Sequence, residues 1–246
     1  MNKLSPDYFF ELASYRHNEI FSGLTYVWEA LPKISAYLKN SPLGIISGEV
    51  HPGAYLINPE SISIGKGTIV EPGAYIKGPC IVGENCTVRH GAYIRGDVIT
   101  GDRCVIGHDS ELKNTILLDG AHAAHFAYVG DSILGNGVNL GAGTKFANLK
   151  LIRSTVIVHV DGKKFNTFLD KFGAILGDHC QIGCNAVANP GTLMGKNSIC
   201  YPCVNFGGFV DAEYTVKNNT HLILTPSSKP ECGCKSSHCS TAKPRN

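Results

Sequence analysis

The run AHAAHFAYVGDSILGNGVNLGAGT, residues 121–144, sets His125 among small residues and glycines, with Tyr128 three positions on and asparagines further along. Histidine changes charge near neutral pH, so a histidine held open to solvent can take a proton from an attacking nucleophile. Glycine-rich chain beside it can turn backbone N–H groups toward a developing oxyanion. Arg95 and Lys113 could bind a phosphate monoester, one as a planar fork and the other as a point charge. Each also has a plainer reading: His125 as a satisfied surface histidine, Arg95 and Lys113 as solvated charges.

What must position these residues is a period of six. From Ile64, steps of six reach Val70, Ile76, Val82, Val88, Ile94, Thr100, Ile106, Leu112, Leu118 and Ala124, and nine of these eleven are branched aliphatics. The residue four after each is small: Thr68, Ala74, Cys80, Cys86, Ala92, Val98, Cys104 and Ser110. The phase slips after Ala124, resumes at Leu134, Leu140 and Phe146, lapses over residues 149–175, and returns at Leu176, Ile182, Ala188, Met194, Cys200 and Phe206. Neither a helical nor a strand period fits. Six residues per short strand and corner, three strands per coil, do fit. The prediction is an all-β parallel β-helix of hexapeptide repeats, stacked nearly in one dimension.

Within that coil Cys80, Cys86, Cys104 and Cys180 take the small inward place and Cys200 the aliphatic one, as small hydrophobes. Arg95, Lys113 and His125 each follow an inward place (94, 112 and 124) and should project outward. Arg95 and Lys113, 18 apart, share one edge, and His125, 12 further on, lies on another. If the three cooperate, a neighbouring copy of the chain must complete the site.

The expected organisation is a short α-helical N-terminal appendage over 1–43, the β-helix over 44–210 with an irregular loop at about 149–175, and an extended tail over 211–246. Ser5 and Pro6 open the first helix, and Pro32 marks a join between helices. A net charge of +2, with 17% charged residues, gives no nucleic-acid footprint. No charged leader followed by an apolar stretch opens the chain and no run would span a bilayer, so a cytoplasmic protein without a membrane partner is expected.

The segments HFAYVGDSILGNGVNLGAGTKFANLK and DGKKFNTFLDKFGAILGDHCQIGCNAVANPG resemble the acetyltransferase domain of the bifunctional N-acetylglucosamine-1-phosphate uridyltransferases and, more closely, that of the related sugar-1-phosphate nucleotidylyltransferase/acetyltransferase enzymes. The likeness covers residues 50–206. It implies a left-handed coil, a homotrimer with intersubunit sites, and acetyl transfer from acetyl-CoA to the amine of an amino-sugar 1-phosphate, glucosamine-1-phosphate first, in UDP-N-acetylglucosamine synthesis. Carried over by position, His125 is the base. Arg95, Lys113, Tyr128, Asn139, Asn148 and Lys171 hold the acceptor, and Ala142, Cys184 and Pro202 meet the coenzyme arm. No metal is called for. The family's nucleotidyltransferase domain has no counterpart in the first 50 residues, so uridylyl transfer is not expected. NSICYPCVN departs from the family's smoother alanine-glycine run.

Two other readings compete. One is a zinc enzyme like the γ-class carbonic anhydrases, drawing on His90, His108, His122 and His125. The other is a scaffold without catalysis. The tail run ECGCKSSHC, with Cys232, Cys234, His238 and Cys239, could bind metal, but its spacing suits a free thiol-bearing tail better.

Overall fold

The computed structural model describes residues 2–219, so the tail thiols at 232–239 lie outside the described residues. From residue 46 onward the chain winds as a parallel β-helix whose cross-section is a triangle. The first face carries nine strands, from Glu49–Val50 to Thr215–Val216, stacked coil upon coil. The second runs from Tyr55–Ile57 to Asn205–Phe206, and the third from Ile62–Ile64 to Phe209–Val210. Two long strands, Glu111–Leu117 and Tyr128–Leu134, turn the corner between the second and third faces and join them into one sheet.

The interior is the hexapeptide pattern made solid. Ile64, Val70, Ile76, Val82, Val88, Ile94 and Ile106 are all at most 1% exposed, and so are the small residues Ala74, Cys80, Cys86, Ala92 and Cys104. Each such aliphatic contributes about 1.5–3 kcal/mol by leaving water. Polar inward residues are satisfied locally: the Thr68 hydroxyl donates to the Gly83 carbonyl and accepts from the Cys86 N–H.

The phase slips earlier than the spacing suggested. Ile106 pairs with Ala123, 17 residues on, and Ile99 with Ile116, so Leu117 and Ala123 point inward. Leu118 joins the outer core and Ala124 is half-buried. The shortened coil brings the Ala124 carbonyl against Gly107, where any Cβ would collide with it. The coil also runs past residue 210, where the tail was expected to begin: Val210 and Val216 keep the period, and Thr215–Val216 pairs with Ile199–Cys200.

A second core covers the outside of the third face. Ile81, Ile99, Ile116, Ile133, Ile175, Leu193 and Phe209 form an aliphatic column, one per coil. Over it lies the N-terminal segment, contributing Leu4, Phe9, Phe10, Phe21, Trp28, Leu31 and Leu38. Its turns are short: α-helical over Pro6–Phe9 and Ile34–Lys39, 3-10 over Asn18–Phe21 and Val27–Lys33. Pro32 sits inside the last 3-10 stretch, which runs directly into the helix, so it marks no break. Buried Asp178 fastens this segment to the coil. Its carboxylate accepts from the Glu11 and Asn136 N–H groups, both at 2.7 Å.

The insertion at 149–173 contributes an antiparallel hairpin, Ile157–Val160 with Lys163–Asn166, and Val156, Val158 and Phe172 extend the outer core.

His17, 7% exposed within this cover, bonds through Nδ1 to the Tyr37 hydroxyl at 2.9 Å. Burial, then neighbouring Arg16, push its pKa down to about 4 against the opposing pull of Asp102 and Asp119. The unfolded chain takes up this proton near pH 6.5 and the folded chain only near 4. The contribution is therefore complete above pH 6.5 and declines as pH falls toward 4, by up to about 3 kcal/mol. Denaturant unfolding across that window should show the decline, and His17→Phe should flatten it.

Candidate active site

The corner between the first and second faces carries a column of histidines. Register places His90, His108 and His125 one above another on three successive coils. His90 donates through Nδ1 to the Pro72 carbonyl at 2.7 Å, and His108 through Nδ1 to the His90 carbonyl at 3.1 Å. Those carbonyls fix the tautomer and leave each Nε2 turned outward. The rings of His90 and His108 stack with centroids 5.7 Å apart. His125 ends the ladder, exposed, and its carbonyl accepts from Gly143 N–H at 3.0 Å on the next coil.

Phe126, beside it, has φ 50, at a corner where Gly73, Gly91 and Gly143 stand on other coils. A bulky residue in the left-handed region is strained, a condition that persists mainly where a site requires it. Its half-exposed ring packs edge-on against His108, with centroids 5.2 Å apart. Beyond His125 the same corner continues through Ala142, Cys184 and Pro202. The Ala142 carbonyl accepts from Asn185 N–H, and that of Cys184 from Cys203 N–H, each at 2.8 Å.

The opposite edge of the second face gathers the charged residues. Arg95, its side chain 42% exposed, donates to Glu111 at 2.6 Å. Lys113 stacks one coil on and donates to both oxygens of Asp131, at 3.0 and 3.3 Å. Asn114 and Asn148 donate to the same carboxylate. Tyr128 stands half-buried on this face, its phenol pushed up first by burial and then by Glu111 and Asp131. A Cβ on Gly130 would lie 2.6 Å from the Tyr128 hydroxyl and 2.9 Å from Asn148 Nδ2, so glycine lets these two side chains close over the backbone.

The insertion delivers Lys171 to this corner, because Phe172 N–H donates to the Asn148 carbonyl at 2.9 Å. Lys171 lines a cleft of about 410 Å³ with Leu149, Arg153, Ser154 and Asp170.

Of the residues singled out in the sequence, the fold therefore brings Arg95, Lys113, Tyr128, Asn148 and Lys171 to one edge. His125, Ala142, Cys184 and Pro202 lie on the other. Five residues of extended chain, roughly 16 Å, separate His125 from Gly130. Asn139 lies on the first face, between His122 and Gln181, directed away from both groups. His125 follows the inward Ala123 by two positions, not one. His122 is only half-buried and outside the coil core, where the sequence had placed it inward. Among the described residues no three His, Cys, Asp or Glu side chains are grouped to hold a metal ion.

Two site residues escaped sequence reasoning: Phe126, and Asp131, whose side chain is 5% exposed. A signal for Asp131 existed. Asp97, Asn114 and Asp131 recur at 17 residues and all adopt φ near 50, a conformation Asp and Asn tolerate best.

The arrangement defines a class: hexapeptide-repeat β-helices with polar groups displayed in columns at the coil corners. Residues 76–210 match the family model described as "GMPPB C-terminal domain", and the chain belongs to that family. A "Bifunctional sugar-1-phosphate nucleotidylyltransferase/acetyltransferase" of Sulfurisphaera tokodaii is 38% identical over 92 residues, 37% of this chain and 23% of that protein. A "Bifunctional protein GlmU" of a Cyanothece species is 34% identical over 144 residues, 58% of this chain and 24% of that protein. The chain thus spans about a quarter of the length of these relatives. Among solved structures, the acetyltransferase domain of PglB from Neisseria gonorrhoeae, in complex with acetyl coenzyme A, aligns over 78% of this chain and 62% of its own at 16% identity and a TM-score of 0.35. Among the described residues no helix is long and apolar enough to cross a membrane.

Two outcomes test the site's structure. Asp131→Ala removes a buried carboxylate and strands the amides it accepts from, and should cost about 3 kcal/mol in denaturant unfolding. Burial pushes the thiols of Cys80 and Cys180 up to about 12 and that of Cys200 to about 11, whereas Cys184 and Cys203 are exposed. Iodoacetamide followed by peptide mapping should therefore modify Cys184 and Cys203 in the native protein and reach the buried three only in denaturant.

Proposed function

We propose that the protein is an N-acetyltransferase that moves an acetyl group from acetyl-CoA to the amine of an amino-sugar 1-phosphate, with glucosamine-1-phosphate the first acceptor to try. One observation carries the reading: His125 stands at the head of the corner column that continues through Ala142, Cys184 and Pro202. A coenzyme arm lying along that column would end with its thioester at the imidazole. The names of the relatives support the same chemistry.

In this reading the acceptor nitrogen attacks the thioester carbonyl while His125 takes its proton. Backbone N–H groups of the glycine-rich corner stabilise the oxyanion. Collapse breaks the carbon–sulfur bond, and the coenzyme leaves as thiolate to recover the proton from the imidazolium. Arg95, Lys113 and Lys171 hold the phosphate, while Asn139, Asn148 and Tyr128 meet the sugar. Because His125 and the cations occupy opposite edges of one face, the working unit is a homotrimer in which one copy supplies the base and its neighbour the phosphate site.

A second reading, a scaffold without catalysis, draws on Arg95 and Lys113 already being paired with Glu111 and Asp131. One assay separates the two: mass-spectrometric detection of N-acetylglucosamine-1-phosphate from acetyl-CoA and glucosamine-1-phosphate. Wild type should form product, and His125→Ala should lose at least ~100-fold, the scale of a general base. No product from trimeric wild type, with galactosamine-1-phosphate also tried, would reject the enzymatic reading.

A further inference from the structure

The most enclosed cavity described lies far from both corners, where the N-terminal segment meets the first coils. It measures about 420 Å³, within the range of small-ligand sites. Pro42, Ile45, Ile64, Ile81 and Val82 form an apolar wall. His17 lines it too, more than nine-tenths buried. Its Nδ1 is engaged by Tyr37, and among the described residues its Nε2 has no partner.

At the rim stand two cations. Arg16 spends one Nη on Glu84, at 2.8 Å, and keeps its remaining donors. Lys66 makes no ion pair among the described residues. Glu84 is the one carboxylate on the lining, so the rim carries one net positive charge.

The structure assigns this cavity as a second ligand site, for a small organic anion with an apolar body and a carboxylate or phosphate head. The body lies against Ile45, Ile64 and Ile81 and the head meets Lys66 and Arg16. His17, neutral inside the cover, supplies one hydrogen bond to a polar atom of the ligand. Because the walls come from both the N-terminal segment and the coil, bound ligand ties the two together. The site is independent of the acetyl-transfer reading.

Calorimetric titration of the full chain with octanoate, octyl phosphate and neutral octanamide tests it. At least one of the two anions should bind one per chain, and octanamide at least ~10-fold more weakly, the loss of a charge-assisted contact. The better anion identifies the head group. Lys66→Glu, which reverses the rim charge, and Ser47→Trp, which fills the mouth, should each weaken binding at least ~10-fold without moving the unfolding transition. Hydrogen exchange on wild type with the bound anion should slow in residues 41–47 and 63–66. The inference is overturned by absence of saturable binding, by equal binding of octanamide, or by protection elsewhere on the chain.

Discussion

Every inward side chain of the solenoid rests on its counterpart one coil away, at the spacing that backbone hydrogen bonds impose between parallel strands. A residue there must fill its place without pushing the coils apart, which is why Ile, Val, Ala and Cys recur and why the cysteines are inert. The same stacking acts outward. Register holds each outward position above its equivalent, so side chains of one type become a column. The histidines at one corner, the cations at the next and the isoleucines of the third face are three expressions of that constraint.

The three columns meet different fates. The isoleucines cannot remain in water, and the N-terminal segment and insertion exist in their present form by covering them. The histidines stay open because their Nδ1 atoms are committed to carbonyls of the preceding coil and their Nε2 atoms need nothing. The cations are held by carboxylates of unequal strength. Arg95–Glu111 is an exposed pair, worth little and readily exchanged for a phosphate. Lys113–Asp131 is largely buried and shared with two asparagines, so it reads as framework that orients the edge, and Arg95 and Lys171 are the cations free to meet an incoming anion.

Much of this was legible in the chain. The period of six identified the coil, the small residue four places on identified its buried cysteines, and the spacing of 18 put Arg95 above Lys113. The point of the phase slip was not legible, for a simple reason. Leu117 and Leu118 are both leucine and Ala123 and Ala124 both alanine, so hydrophobicity cannot choose between them. Gly107, where the shortened coil closes on itself, chooses. The end of the coil was hidden as well, because the polar composition after Phe206 obscured Val210 and Val216.

What the sequence determined by itself is the repeat, the buried set and the residue types on display, because these follow from spacing along one chain. What only the tertiary structure decided is who meets whom. Asp131 gathers Lys113, Asn114 and Asn148; Phe126 is forced into a left-handed corner beside His125; and His17 closes a cavity with residues of the first two coils. Those contacts join positions tens of residues apart through the winding of the coil and the path of the N-terminal segment. No local pattern records either, because both are settled by where apolar surface can be buried.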